Sequence, residues 1–170
     1  MITLTQRLHF IGYREWRAYT IAVLFTACNI VLPQLFHYIP GGGSAFLPIM
    51  FLTLITVYKY GWQAGMLTAI LSPFANHILF GMPGMDVLPF ISLKSIYLAA
   101  IAGYAAWRFR HTSISIIIGI VISYQAIGML TEWLISGNIA FAINELITSI
   151  PGILLQIVGG YIFIHYILKK

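Results

Sequence analysis

Acidic side chains are scarce in this sequence: four Asp and Glu stand against nine Lys and Arg, and charge of either sign occupies 8% of the 170 residues. Soluble domains carry about a quarter charged residues, so this chain lacks the surface that water requires. With 60% apolar residues it also has more hydrophobic area than one compact globule of its size can enclose. A lipid exterior removes that conflict. Long polar linkers and internal repeats are missing too, which leaves a single membrane domain over residues 1–170.

Other absences narrow the function. The lone cysteine, Cys28, excludes a disulfide framework and a cysteine-only metal site within one chain. The sequence has no G-x-x-x-x-G-K-[ST] loop, no His-Glu-x-x-His helix and no G-x-S-x-G elbow. Catalysis, a cofactor and a metal are therefore not expected, and any ATP hydrolysis belongs to another chain. The basic residues are scattered near helix ends instead of forming a patch, which reads as membrane topology and not as nucleic-acid binding. Phe25-Thr26-Ala27-Cys28 has the outline of a lipoprotein cleavage site. The apolar run continues past it and more follow, so the first span is expected to be retained.

What is present is a series of apolar runs punctuated by Gly, Pro and charge. They predict six spans: Ala18–Phe36, Ala45–Tyr58, Trp62–Phe80, Leu88–Trp107, Thr112–Ile135 and Asn144–Leu168. The runs lack the dyad alternation of a barrel, and a helix satisfies its own backbone in lipid, so the expected fold is an all-α six-helix bundle. Residues 1–17, with Arg7, Arg14, Glu15 and Arg17 among aromatics, are compatible with a short interfacial helix. Lys59, Arg108, Arg110, Lys169 and Lys170 share a side with that segment, alternating with loops that carry no Lys or Arg. Both termini are thus expected in the cytoplasm, with His37–Ser44, Gly81–Val87 and Ser136–Ile143 outside.

In that orientation the remaining charges, Asp86, Lys94, Glu132 and Glu145, fall in the outer half. Lys94 lies six residues past Leu88, about 9 Å into its span, where an unpaired ammonium is costly. Glu132 or Glu145 is its expected partner, and Asn76, His77, Gln125, Trp133, Asn144 and Thr148 could complete a polar substrate pocket with Asp86. The alternative is a structural salt bridge with the other carboxylates at headgroup level. His77 has no recognised ligand spacing around it and reads as a hydrogen-bonded interfacial histidine or a substrate contact. His37 with Gly41, Gly42 and Gly43 forms a loop able to hinge over the pocket. Gly61-x-x-x-Gly65 and Ala18-x-x-x-Ala22 permit close helix approach.

Six short spans, the outward polar zone, Ala18-x-x-x-Ala22, Tyr60-Gly-Trp-Gln-Ala-Gly65, Leu71-Ser-Pro-Phe-Ala-Asn-His77, Leu79-Phe-Gly-Met-Pro83 and Leu88-Pro89 together resemble the substrate-binding S components of energy-coupling factor (ECF) transporters. The resemblance covers nearly the whole chain. It implies capture of a vitamin-like molecule from outside, then docking to a membrane T component driven by two cytoplasmic ATPase subunits in a bacterial or archaeal plasma membrane. It also assigns Ala18 and Ala22 to T-component docking. Individual ligand contacts do not carry over, because S components share little sequence. A self-sufficient secondary transporter or channel, exchanging protons through Glu132, Glu145 and Lys94, is the competing expectation, although no inverted repeat accompanies it.

Overall fold

The computed structural model describes residues 15–36, 46 and 48–167, and among these every regular element is a helix. In chain order they are α1 (Trp16–Phe36), α2 (Pro48–Tyr60), α3 (Trp62–Phe80), α4 (Leu88–Phe109), α5 (Ile114–Ser136) and α6 (Ile139–Thr148). The last helix, α7, starts as Ile150–Leu154 and runs on through a π-helical stretch Leu155–Gly159, a turn Gly160–Ile162 and a second π-helical stretch Phe163–Ile167. The region before residue 15, which includes the expected interfacial helix, and the loop with His37 and Gly41–Gly43 lie outside the described residues.

Three helices are long and apolar enough to cross a membrane: α1 over Trp16–Gln34, α4 and α5. A fourth crossing results when α6 and α7, bent by 52° at their junction, count as one span. The remaining two runs depart from the expected pattern for different reasons. The 19 residues of α3 include Gln63, Ser72, Asn76 and His77, which lower its hydropathy. The 13 residues of α2 reach only about 20 Å, short of a hydrocarbon core of about 30 Å.

Burial accounts for the short α2. Met50, Leu54, Ile55, Val57 and Tyr58 are all buried, with Thr53 and Thr56 donating to the carbonyls of Ile49 and Leu52. A helix that is apolar on every side belongs in an interior. α2 packs on α1, α3, α4 and the last helix, and its side chains join Leu98, Ala99 and Ala102 of α4 with Ile117, Val121 and Tyr124 of α5 in one core. Surrounded by protein, it need not match the bilayer.

Close approach at the helix interfaces depends on glycine. A Cβ on Gly65 would stand 2.1 Å from Val57 Cγ2, one on Gly103 would stand 2.5 Å from Trp62 Cβ, and one on Gly160 would stand 3.2 Å from Leu54 Cδ2. These contacts join α2 to α3, α3 to α4 and α7 to α2. The tight packing that lipid-embedded helices need is thus obtained by removing side chains, not by adding apolar area.

Two of the expected loops shorten. The turn Lys59-Tyr60-Gly61 contracts to Gly61 alone, whose φ of 96° suits glycine. The outward loop Ser136–Ile143 contracts to Gly137 and Asn138: Gly137 ends α5 in a left-handed conformation and the Asn138 side chain accepts from the Phe141 N–H at 3.2 Å. That cap lets α6 start at Ile139, five residues before the expected span. The bend follows at Ser149, which leads into Ile150-Pro151-Gly152; Pro151 fits the first turn of a new helix because it needs no N–H partner there.

Candidate functional site: a cavity above a buried ion triad

The C-terminal ends of α1, α3 and α5 meet the N-terminal ends of α2, α4 and α6 at one end of the bundle, around a cavity of about 310 Å³. That volume lies at the small end of the range for ligand pockets. Pro33, Met50, Phe90 and Phe141 make its walls largely apolar, and the Met82–Gly84 loop closes one side. The polar groups lining it are few: Gln34, Asn76, Glu132 and Glu145.

Lys94 lies beside the cavity and holds its carboxylates. Its Nζ is 2.9 Å from Glu132 Oε1 and also bonds Glu145 Oε2, so one ammonium is shared by α5 and α6. The Lys94 and Glu132 side chains are 3% and 4% exposed, whereas that of Glu145 is 27% exposed. A pair this buried is sustained only if both charges are compensated. Lys94 is compensated twice, while Glu132 Oε2 is buried with no hydrogen-bond partner among the described residues. The Lys94 stem passes over Gly128, where a Cβ would stand 2.6 Å from its Cγ and 2.7 Å from its Cε.

Asn76 is fixed from below. Its Nδ2 donates to the carbonyls of Asn29 at 2.8 Å and Ser72 at 2.9 Å, while Asn29 Nδ2 donates to Ser72 Oγ at 2.9 Å. Both N–H groups of Asn76 are therefore occupied, and its Oδ1 is what it can offer a ligand. The same network ties α1 to α3 next to the cavity.

The other expected site residues are not gathered around this space. His77 braces the loop: Nδ1 donates to the Pro83 carbonyl at 2.8 Å, and Gly81 ends α3 with its N–H on the His77 carbonyl. Asp86 is exposed on that loop, and Gly84 leaves room for its carboxylate. Gln125 is buried below the triad, its Nε2 donating to Ser149 Oγ at 3.5 Å. Trp133 is 43% exposed and points away from Glu132's side of α5. Asn144 and Thr148 are exposed on α6, where Thr148 Oγ1 donates to the Asn144 carbonyl at 2.8 Å.

Ala18 and Ala22 are buried, and with Thr26, Asn29 and Pro33 they form the inward stripe of α1 that packs on the bundle. In this arrangement neither presents a surface to another subunit. The large apolar residues of α1 that are exposed are Trp16, Tyr19, Val23, Leu24 and Val31.

Sequence reasoning missed the apolar walls and Gly128. Phe90 and Phe141 resemble any other aromatic in an apolar run until two helix ends meet. Gly128-x-x-x-Glu132 was a readable signal, since a bare backbone one helical turn from a buried carboxylate leaves space for its partner. Among the described residues, no group of three or more His, Cys, Asp or Glu could hold a metal ion. No family model matches the chain, and comparison with curated proteins and with solved structures finds no significant match.

Proposed function

We propose that this chain is the substrate-capture subunit of an ATP-driven importer of the energy-coupling factor type, taking up a polar, vitamin-like small molecule from outside the cell. The observation that carries this reading is where the cavity lies. It sits between helix ends joined by segments without Lys or Arg, the side that the positive-inside bias turns outward. On this reading α1–α5 and the bent pair α6–α7 make six crossings, and both termini are cytoplasmic. Convergent polar groups in a small apolar space are the ordinary composition of a ligand site.

The sequence has no nucleotide-binding loop, and on this reading energy comes from partner ATPase subunits through a T component. Docking is assigned to the open face of α1, around Tyr19, Val23, Leu24 and Val31, because Ala18 and Ala22 are occupied by internal packing. Native mass spectrometry of the detergent-purified chain tests capture: a retained small molecule is expected. Reconstitution tests coupling: uptake that needs ATPase partners supports the importer. Uptake by the chain alone, driven by an ion gradient, would favour the secondary-transporter reading, for which the buried Lys94–Glu132–Glu145 triad is the motivating observation.

A further inference from the structure

The cavity has a charge preference that the capture reading leaves open. One ammonium stands against two carboxylates, so the fully ionised triad carries a single net negative charge. Among the described residues no Lys or Arg lines the cavity, and the charged residue of the loop beside it, Asp86, has the same negative sign. An anionic ligand would find Lys94 Nζ already taken by both partners. It would also face Glu132 and Glu145 across a medium that screens poorly.

The hydrogen-bonding groups point the same way. Glu145, 27% exposed, is the member of the triad open to the cavity, and Asn76 has spent both of its N–H groups. What the cavity offers from these two is acceptors, which require donors on the ligand. The walls add Phe90 and Phe141, whose rings lie 6.0 Å apart at 53° and whose faces favour a cation over an anion. A bare metal ion fits poorly, because a hard cation needs about six to eight oxygen ligands and this space is mostly apolar.

Resting on the proposed capture role, we infer that the ligand is a small organic cation with a flat apolar body, bearing an ammonium, amidinium or protonated ring nitrogen that reaches the Glu145 carboxylate. The body lies against Phe90 and Phe141, and the cation supplies the charge that Lys94 cannot give to two carboxylates at once.

Three probes of matched shape test this: benzamidinium, neutral benzamide and anionic benzoate, titrated calorimetrically into the detergent-purified full chain. Benzamidinium is expected to bind about ten- to a hundredfold more tightly than either of the others, the contribution of one charge-assisted hydrogen bond. Glu145→Gln should abolish that preference. Should Glu145→Gln fail to fold, Glu132→Gln keeps Lys94 paired to Glu145, removes one of the two negative charges and should reduce the preference for benzamidinium. Equal or tighter binding of benzoate or benzamide overturns the charge assignment. So does binding of none of the three, or a retained native molecule that is anionic. In each of these cases a retained molecule still supports capture; the capture reading itself fails only if native mass spectrometry also finds nothing bound.

Discussion

Gly128 lies flat under the methylene stem of Lys94, close enough that a single added carbon would touch three carbons of that side chain. The ammonium at the far end is fixed by Glu132 and Glu145, so the stem cannot swing aside without loosening those bonds. Gly128→Ala gains about 1 kcal/mol of helix propensity and loses about 1–3 kcal/mol to overpacking. The expected outcome is a net loss of stability together with reduced retention of the bound molecule. Thermal unfolding in detergent beside native mass spectrometry checks both; a stabilised variant with full retention would show that the stem has another place to lie.

The triad predicts an order of damage. Lys94→Met leaves two carboxylates uncompensated, one of them fully buried, and should cost about 3–5 kcal/mol. Glu132→Gln leaves Lys94 paired to Glu145 and should cost less. Glu145→Gln should cost least, since that side chain is already 27% exposed. Melting temperatures of the three variants in one detergent give the order directly, and a Glu145→Gln variant as unstable as Lys94→Met would contradict it.

Ala22→Leu should destabilise the isolated chain, because Ala22 is buried on the stripe of α1 that carries Asn29 against Ser72. Val23→Ser, on the open face, should leave melting and ligand retention unchanged while weakening ATP-dependent uptake. The reverse pattern, with Ala22→Leu folding and binding normally but failing only in uptake, would return the docking role to the small-residue motif.

Orientation is open to direct measurement. In a Cys28→Ser background, Asp86→Cys should react with a membrane-impermeant maleimide added to intact cells, and Arg110→Cys only after the membrane is opened. The opposite pattern would turn the cavity toward the cytoplasm and remove the import direction.

How much of this was legible in the sequence differs from element to element. The limits of α3, Trp62–Phe80, could be read because Gly61 and Gly81 bracket the run. The start of α4 at Leu88-Pro89 was legible from Pro89, which suits the first turn of a helix. The start of α6 was not, since Ile139–Ile143 is as apolar as a span and only the Asn138 cap distinguishes a helix start from a loop there. Lys94 could be marked by the cost of its depth, and Glu132 and Glu145 as candidates by elimination. That both hold it at once depends on the approach of α5 and α6, which local pattern does not encode. The role of Ala18 and Ala22 was legible as close packing, but not which surface they pack against.

The triad also has a history in the order of synthesis. Lys94 reaches the bilayer on α4 before either carboxylate exists, so α4 first meets lipid carrying an uncompensated positive charge about 9 Å from its end. α5 then brings Glu132, and the α4–α5 hairpin is the first assembly with no net charge at that depth. α6 adds Glu145 last, turning the same spot negative. The local potential therefore reverses sign as the chain emerges, and the preference for a cation inferred above arises only when the final wall is laid down.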